Sequence, residues 1–224
     1  MINKTFVAII GAGTVLATAV SALPRDVSAN SWAAGAVKET IANRVLLPLP
    51  DGRFHGTLPV TRAQVVLALA AEGHVLTARQ WKHHSSSPVP DSVAKQLRTG
   101  DWRAKPVTRY MLASVLARLG DYISNGVHAA APGAKDTGKS SILPTVKKLP
   151  ITAHSPYYSA LHYLAVNKMV WPGSVLLYVD SKHVTAAQLS SALFQFTEGV
   201  TNHLTSLGLD KNGSTPDRTF HPKK

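Results

Sequence analysis

Three stretches of the chain repeat one order of events: a turn, an aromatic residue, then Val-Thr opening an apolar helix. They run from Phe54 to Gln64, from Trp102 to Met111 and from Tyr178 to Gln188. The aromatic precedes the threonine by seven, six and seven residues. A unit of this kind cannot bury its apolar face alone, so its recurrence predicts stacked units that share a core. That favours a repeat-built binding module over an enzyme.

Each helix start carries its own instructions. Thr61 and Gln64 have the spacing of a capping box, and so do Thr185 and Gln188. The threonine oxygen accepts from the third helical N–H while the glutamine reaches back to the threonine N–H. Val60 with Val65, Val107 with Leu112 and Val184 with Leu189 supply hydrophobic staples. Behind them, Leu112, Val115, Leu116 and Leu119 form one helical stripe, and Leu189, Ala192, Leu193 and Phe196 another. In the first copy Val65, Ala68 and Leu69 are followed by Glu72, which weakens the stripe. Helices are therefore expected to open at Thr61, Thr108 and Thr185, and the fold class is all-α.

Each unit should also have a first helix. One is expected over residues 32–44, capped by Asn30 or Ser31, with Trp32, Ala36, Val37 and Ile41 on its buried side. Pro50-Asp51-Gly52 then marks a turn. In the third unit Ser155-Pro156 reads as a helix start, with Tyr158, Leu161 and Ala165 on its apolar side. The middle unit offers two choices, Asp91 to Leu97 or a start at Thr77 with Trp81 as its staple partner. Ser124 to Pro150 has the composition of a linker. The resulting division is 1–22 export signal, 23–73 first unit, 74–123 second unit, 124–150 linker, 151–204 third unit and 205–224 basic tail.

The amino terminus reads as an export signal: Lys4, then an uncharged, mostly apolar run from Thr5 to Val20, then small residues for cleavage up to Ala22. A retained anchor is the alternative, although the run is short for a span and contains Gly11 and Gly13. No later segment reads as membrane-spanning. There is no cysteine, which excludes disulfides and thiolate zinc sites. Lys and Arg number 24 against 12 Asp and Glu, so the chain carries +12. That charge calls for an anionic partner. Export turns the expectation away from nucleic acid and towards the cell envelope.

These residues resemble the S-layer homology domain. The family pattern has an aspartate at the opening, a Trp-Ala-rich first helix, a Pro-Asp-Gly-x-Phe turn, and a second helix opened by Thr-Arg-Ala-Glu. Here it reads Asp26-Val27, Trp32-Ala33-Ala34, Pro50-Asp51-Gly52-Arg53-Phe54 and Thr61-Arg62-Ala63-Gln64. The second unit keeps Gly100-Asp101-Trp102 and Thr108-Arg109-Tyr110; the third has Ala186 where the arginine belongs. The resemblance implies a pseudo-threefold bundle of three helix–loop–helix units. It also implies non-covalent attachment to peptidoglycan or to a wall-linked anionic polysaccharide, in grooves between units. By position Arg62 and Arg109 take the arginine role, with Asp26, Trp32, Asp51, Gly52, Gly100 and Trp102 as groove walls. Gln64, Met111 and Gln188 replace the family's glutamate, so at most two grooves should keep its chemistry.

A guanidinium fork matches a carboxylate, and a helix N-terminus with free N–H groups favours an anion. For Trp32 and Phe54, burial in the core is the stronger expectation. No catalytic pair stands out among the twelve acids. The ten histidines show no metal-ligand spacing, and no cofactor motif is present. Two other readings remain: a degenerate scaffold binding another envelope protein, and a polycation coating an acidic surface.

Overall fold

The computed structural model describes residues 22–80, 93, 95–130, 142–178 and 182–206. The export signal, Trp81 and most of the basic tail therefore lie outside the described residues. Five α-helices carry the described chain: α1 Ala34–Ala42, α2 Arg62–Gln80, α3 Arg109–Ala130, α4 Tyr158–Val166 and α5 Ala186–Ser206. Short 3-10 turns occupy Lys95–Leu97 and Val175–Leu177. There is no strand among the described residues, so the fold is all-α.

The three long helices begin one residue after their threonines. Thr61 N–H donates to Gln64 Oε1 at 2.8 Å, and Gln64 N–H donates to Thr61 Oγ1 at 3.3 Å. Thr185 and Gln188 make the same reciprocal pair at 3.1 and 3.4 Å. Met111 N–H donates to Thr108 Oγ1 at 3.3 Å, one half of the box, since Met111 has no oxygen to return. Thr61→Ala is expected to cost about 1 kcal/mol in chemical denaturation through loss of this cap. An unchanged midpoint would show that the bond adds nothing.

The short helices α1 and α4 are alike, and both start later than the sequence suggests. Ser31 and Ser155 cap the turns just ahead of them rather than the helices, accepting from Ala33 and Tyr157 N–H. The residues at the helix caps, Ala33 and Tyr157, make no side-chain bond. Both helices end in a Schellman motif. In α1, Arg44 N–H donates to Ile41 O and Val45 N–H to Thr40 O; in α4, Lys168 N–H donates to Ala165 O and Met169 N–H to Leu164 O. Arg44 and Lys168 take the left-handed conformation this requires, at φ 57° and 56°.

One of the two candidates for the first helix of the middle unit is excluded. A helix start at Thr77 is ruled out, because α2 runs unbroken through Thr77 to Gln80. Of the Asp91–Leu97 candidate, Val93 is helical and Lys95–Leu97 forms a 3-10 turn, while Asp91, Ser92 and Ala94 lie outside the described residues. The linker expected from Ser124 is corrected at its start, because α3 continues to Ala130.

Packing follows a rule. Each short helix lies on a long one distant from its own successor: α1 on α5, and α4 on α3. The second helices α2, α3 and α5 touch one another. At their heads the chain closes a ring of backbone hydrogen bonds. Val60 N–H donates to Val184 O (2.9 Å), Val184 N–H to Val107 O (2.8 Å), and Val107 N–H to Val60 O (3.2 Å). All three valines are buried in one continuous apolar core with Leu69, Leu116, Leu164 and Phe196. Glu72, which interrupts the first stripe, is buried and accepts the hydroxyl of Thr197 on α5. The acid thereby becomes a link between α2 and α5.

Candidate functional site

The ring of valines brings each second-helix N-terminus against the loop of another unit, making three interfaces of different character. At the first, Arg62 meets the loop of the middle unit. Its N–H donates to Lys105 O at 2.8 Å, and Ala63 N–H to Arg103 O at 3.4 Å. With Gln64 N–H on Thr61, the first turn of α2 keeps no free donor for an anion. The free N–H groups expected at this helix terminus are therefore absent, satisfied by two neighbouring carbonyls and the Thr61 hydroxyl.

The Arg62 side chain reaches into the same loop. Nη1 donates to Thr99 Oγ1 at 3.0 Å and to Leu97 O at 3.4 Å, and Nη2 lies 3.9 Å from Met111 Sδ. Nε is buried without a hydrogen-bond partner. Every one of these partners is neutral, so a half-buried positive charge stands here with no carboxylate against it among the described residues. Gly100 allows the loop to turn at φ 61°. Trp102 is half-buried, with the guanidinium carbons of Arg98 and Arg103 at 5.8 and 5.4 Å from its ring centre.

At the second interface Arg109 is only 5% exposed. Its guanidinium lies 5.1 Å from the ring centre of Tyr178, which is 52% exposed and covers it. The attraction of the cation for the ring face supports this stacking. Arg109 thus packs beneath the third unit's loop instead of standing as an open fork. At the third interface Ala186 and Ala187 donate to Leu58 O and Gly56 O, both at 3.0 Å. Ala187 packs against Phe54 and Gly56. Ala186 stands where the other two units have arginine.

The remaining expected wall residues separate into two groups. Asp26 and Asp51 tie down the turn that carries Gly52, which sits at φ 74° with open space beside it. Asp26 Oδ1 accepts from Phe54 N–H at 2.8 Å and Oδ2 from His55 N–H at 2.6 Å. Asp51 Oδ2 lies 2.6 Å from His55 Nε2, and its Oδ1 accepts from Arg53 N–H at 2.9 Å. Trp32, by contrast, is 63% exposed and lies before α1, which corrects its placement on the helix's buried side. Phe54 is buried as expected, against Ala33 and Val37.

Both carboxyls are held below the ordinary aspartate value of 3.8. For Asp26, desolvation works against the charge, but the N–H groups of Phe54 and His55 outweigh it. For Asp51 the side-chain bond to His55 leads, followed by the Arg53 N–H. A depressed folded value means the contribution is complete above the unfolded value, near 3.8, and is lost as pH falls through the folded one. Asp26→Asn is therefore expected to lower stability at neutral pH and to flatten the loss below pH 3.8. A pH series of urea midpoints with parallel curves for parent and variant would contradict this.

Sequence reasoning found Arg62 and Trp102 but missed Thr99, Arg98, Arg103 and Lys105. The signal was present as Arg98-Thr99-Gly100-Asp101-Trp102-Arg103, a tryptophan among cations on a glycine turn.

Residues 25–66 match the family model of the S-layer homology domain. The match runs from Arg25 through α1, the Asp51-Gly52 turn and Arg62, ending at Val66 in α2. This segment is thus similar to an S-layer homology domain, a kind of module that generally binds cell-wall polymers. No curated protein and no solved structure gives a significant match to the chain. No described helix is long and apolar enough to cross a membrane.

Proposed function

We propose that this protein is an exported envelope-binding module that attaches non-covalently to peptidoglycan or to an anionic polysaccharide linked to it. The observation that carries the reading is Arg62. It lies inside the segment matched to the S-layer homology domain, and its charge meets only neutral groups of the adjoining loop. An anionic polymer docked on this groove would supply the missing counter-charge. The groove is formed by Arg62, Gly100 and Trp102. Asp26, Asp51 and Gly52 shape the turn of the first unit, and Trp32 adds an exposed ring.

The architecture proposed with it is a pseudo-threefold bundle of three helix–loop–helix units, residues 23–73, 74–123 and 151–204, with α2 extending past the first boundary. The closed ring through Val60, Val184 and Val107 and the shared end motif of α1 and α4 support it. Export rests on Lys4 and the apolar run that follows it. N-terminal sequencing of the protein from its native host tests this, with a start after residue 22 expected.

One observation favours a second reading, a scaffold for another envelope protein. Arg109 is buried and the third interface has Ala186, so two of the three grooves present no open arginine. Co-sedimentation with purified sacculi separates the two readings. The polymer-binding module sediments, and Arg62→Ala is expected to weaken binding at least about fivefold through one lost charge-assisted contact. Failure of the parent protein to sediment leaves the scaffold.

A further inference from the structure

Arg62 uses only one corner of its guanidinium to pin the neighbouring loop. Nη1 makes both of those hydrogen bonds, to Thr99 Oγ1 at 3.0 Å and to Leu97 O at 3.4 Å. Nε and Nη2 form a second edge of the plane, with N–H groups spaced to suit a carboxylate. On that edge Nε is buried with no hydrogen-bond partner, and Nη2 meets the thioether of Met111 at 3.9 Å. Sulfur is a weak acceptor, so the edge is covered but poorly satisfied.

Position 111 is the odd one of three. Gln64, Met111 and Gln188 each stand three residues after a capping threonine. Gln64 and Gln188 turn back to the N–H groups of Thr61 and Thr185. Met111 has no oxygen for that bond, and its half-buried side chain lies against Arg62 at the head of α2. Its Sδ stands where a glutamate would carry Cδ. A carboxylate at this position, one bond further on, would reach the guanidinium and neutralise it from within the protein. Methionine fills the same space and leaves the charge uncancelled.

We propose that Met111 is the specificity-determining residue of the Arg62 groove: a neutral plug on the guanidinium edge that a carboxylate of the bound polymer displaces. This rests on the polymer-binding reading and deepens it. The unbranched side chain of methionine has three rotatable bonds and swings aside with little strain. The exchange replaces one weak sulfur contact with charge-assisted hydrogen bonds at Nε and Nη2. An acidic residue at position 111 would hold the same edge permanently. A neutral one yields it to the ligand.

The test sediments the full mature chain with purified sacculi at fixed ionic strength. Met111→Glu is expected to weaken binding about tenfold with Arg62 still in place, the effect of one lost charge-assisted contact. A glutamate three residues after Thr108 also completes a capping box, so the urea midpoint should not fall. Met111→Gln has the same shape without the charge and is expected to bind within about twofold of the parent. Amidating the sacculus carboxylates with carbodiimide and ammonia should weaken the parent at least about fivefold and leave the residual binding of Arg62→Ala unchanged. Parental binding by Met111→Glu overturns the proposal, and so does an equal loss in Met111→Glu and Met111→Gln. Amidation that weakens the parent and Arg62→Ala alike overturns it too, by assigning the attraction to wall charge in general. Should Met111→Glu fail to fold, Met111→Ala decides: with the plug removed, binding should tighten about threefold, and no gain overturns the proposal. A parent that sediments while Met111→Glu matches it sinks this residue's role alone. A parent that does not sediment sinks the underlying function.

Discussion

Gly199→Ala is expected to destabilise the protein by about 3 kcal/mol, at the upper end of what overpacking costs. A Cβ at this position of α5 would lie 2.5 Å from Met169 Cα and 2.7 Å from both Lys168 O and Met169 N. All three are backbone atoms, so no rotamer change can clear the space. The segment is also rigid, because it is the Schellman turn closing α4, with Lys168 already left-handed. Gly120 on α3 provides the control. A Cβ there meets Met169 Sδ at 3.0 Å, Tyr163 Cε1 at 3.2 Å and Phe196 Cε2 at 3.3 Å, all side-chain ends. Gly120→Ala should cost less, because methionine can turn aside. Urea denaturation ranks the two. Equal stability of Gly199→Ala and parent would mean that α5 does not rest on this turn.

The long helices were legible because their signals are local. Thr61, Thr108 and Thr185 each act within one turn, and the apolar stripe behind them is a matter of spacing. The short helices were harder. Their starts carry no side-chain cap, and their ends use Arg44 and Lys168 in a conformation usually left to glycine. The paired Asn43-Arg44 and Asn167-Lys168 are visible as a repeat only once the shared geometry is known. Glu72 was misleading for a similar reason. Its partner Thr197 lies far along the chain, and nothing local announces it.

Site residues were legible by type but not by environment. The three upstream aromatics occupy one sequence position, yet Phe54 is buried, Trp102 half-buried and Tyr178 exposed. Each answers to the unit it faces: Phe54 to Ala187, Trp102 to arginines of its own loop, Tyr178 to Arg109. The two motif arginines diverge likewise. Arg62 pins a loop and keeps an unopposed charge, while Arg109 is sealed under a ring. Identical motif positions thus become a half-buried cation among neutral groups in one interface and a packing joint in the next.

Val107→Asp is expected to abolish cooperative folding of the whole described structure, with a loss of more than about 4 kcal/mol from an uncompensated buried charge. Val107 is fully buried, accepts from Val184 N–H and donates to Val60 O, so it touches both other units through the ring. Should Val107→Asp fail to accumulate, Val107→Ala supplies the graded case at about 2 kcal/mol. Trp171 is the reporter. It is buried in the third unit, bonded through Nε1 to Lys168 O at 3.1 Å and packed edge-on against Phe194. Nothing about Val107→Ala alters its surroundings directly. If the three units share one core, then in a background with Trp32, Trp81 and Trp102 replaced by phenylalanine the Trp171 emission midpoint and the far-ultraviolet dichroism midpoint must fall together, although the substitution is in the middle unit. If the units fold separately, dichroism splits into two transitions and Trp171 keeps its parental midpoint. That outcome would reduce the ring to a contact between independent hairpins and remove the basis for grooves of fixed shape between them.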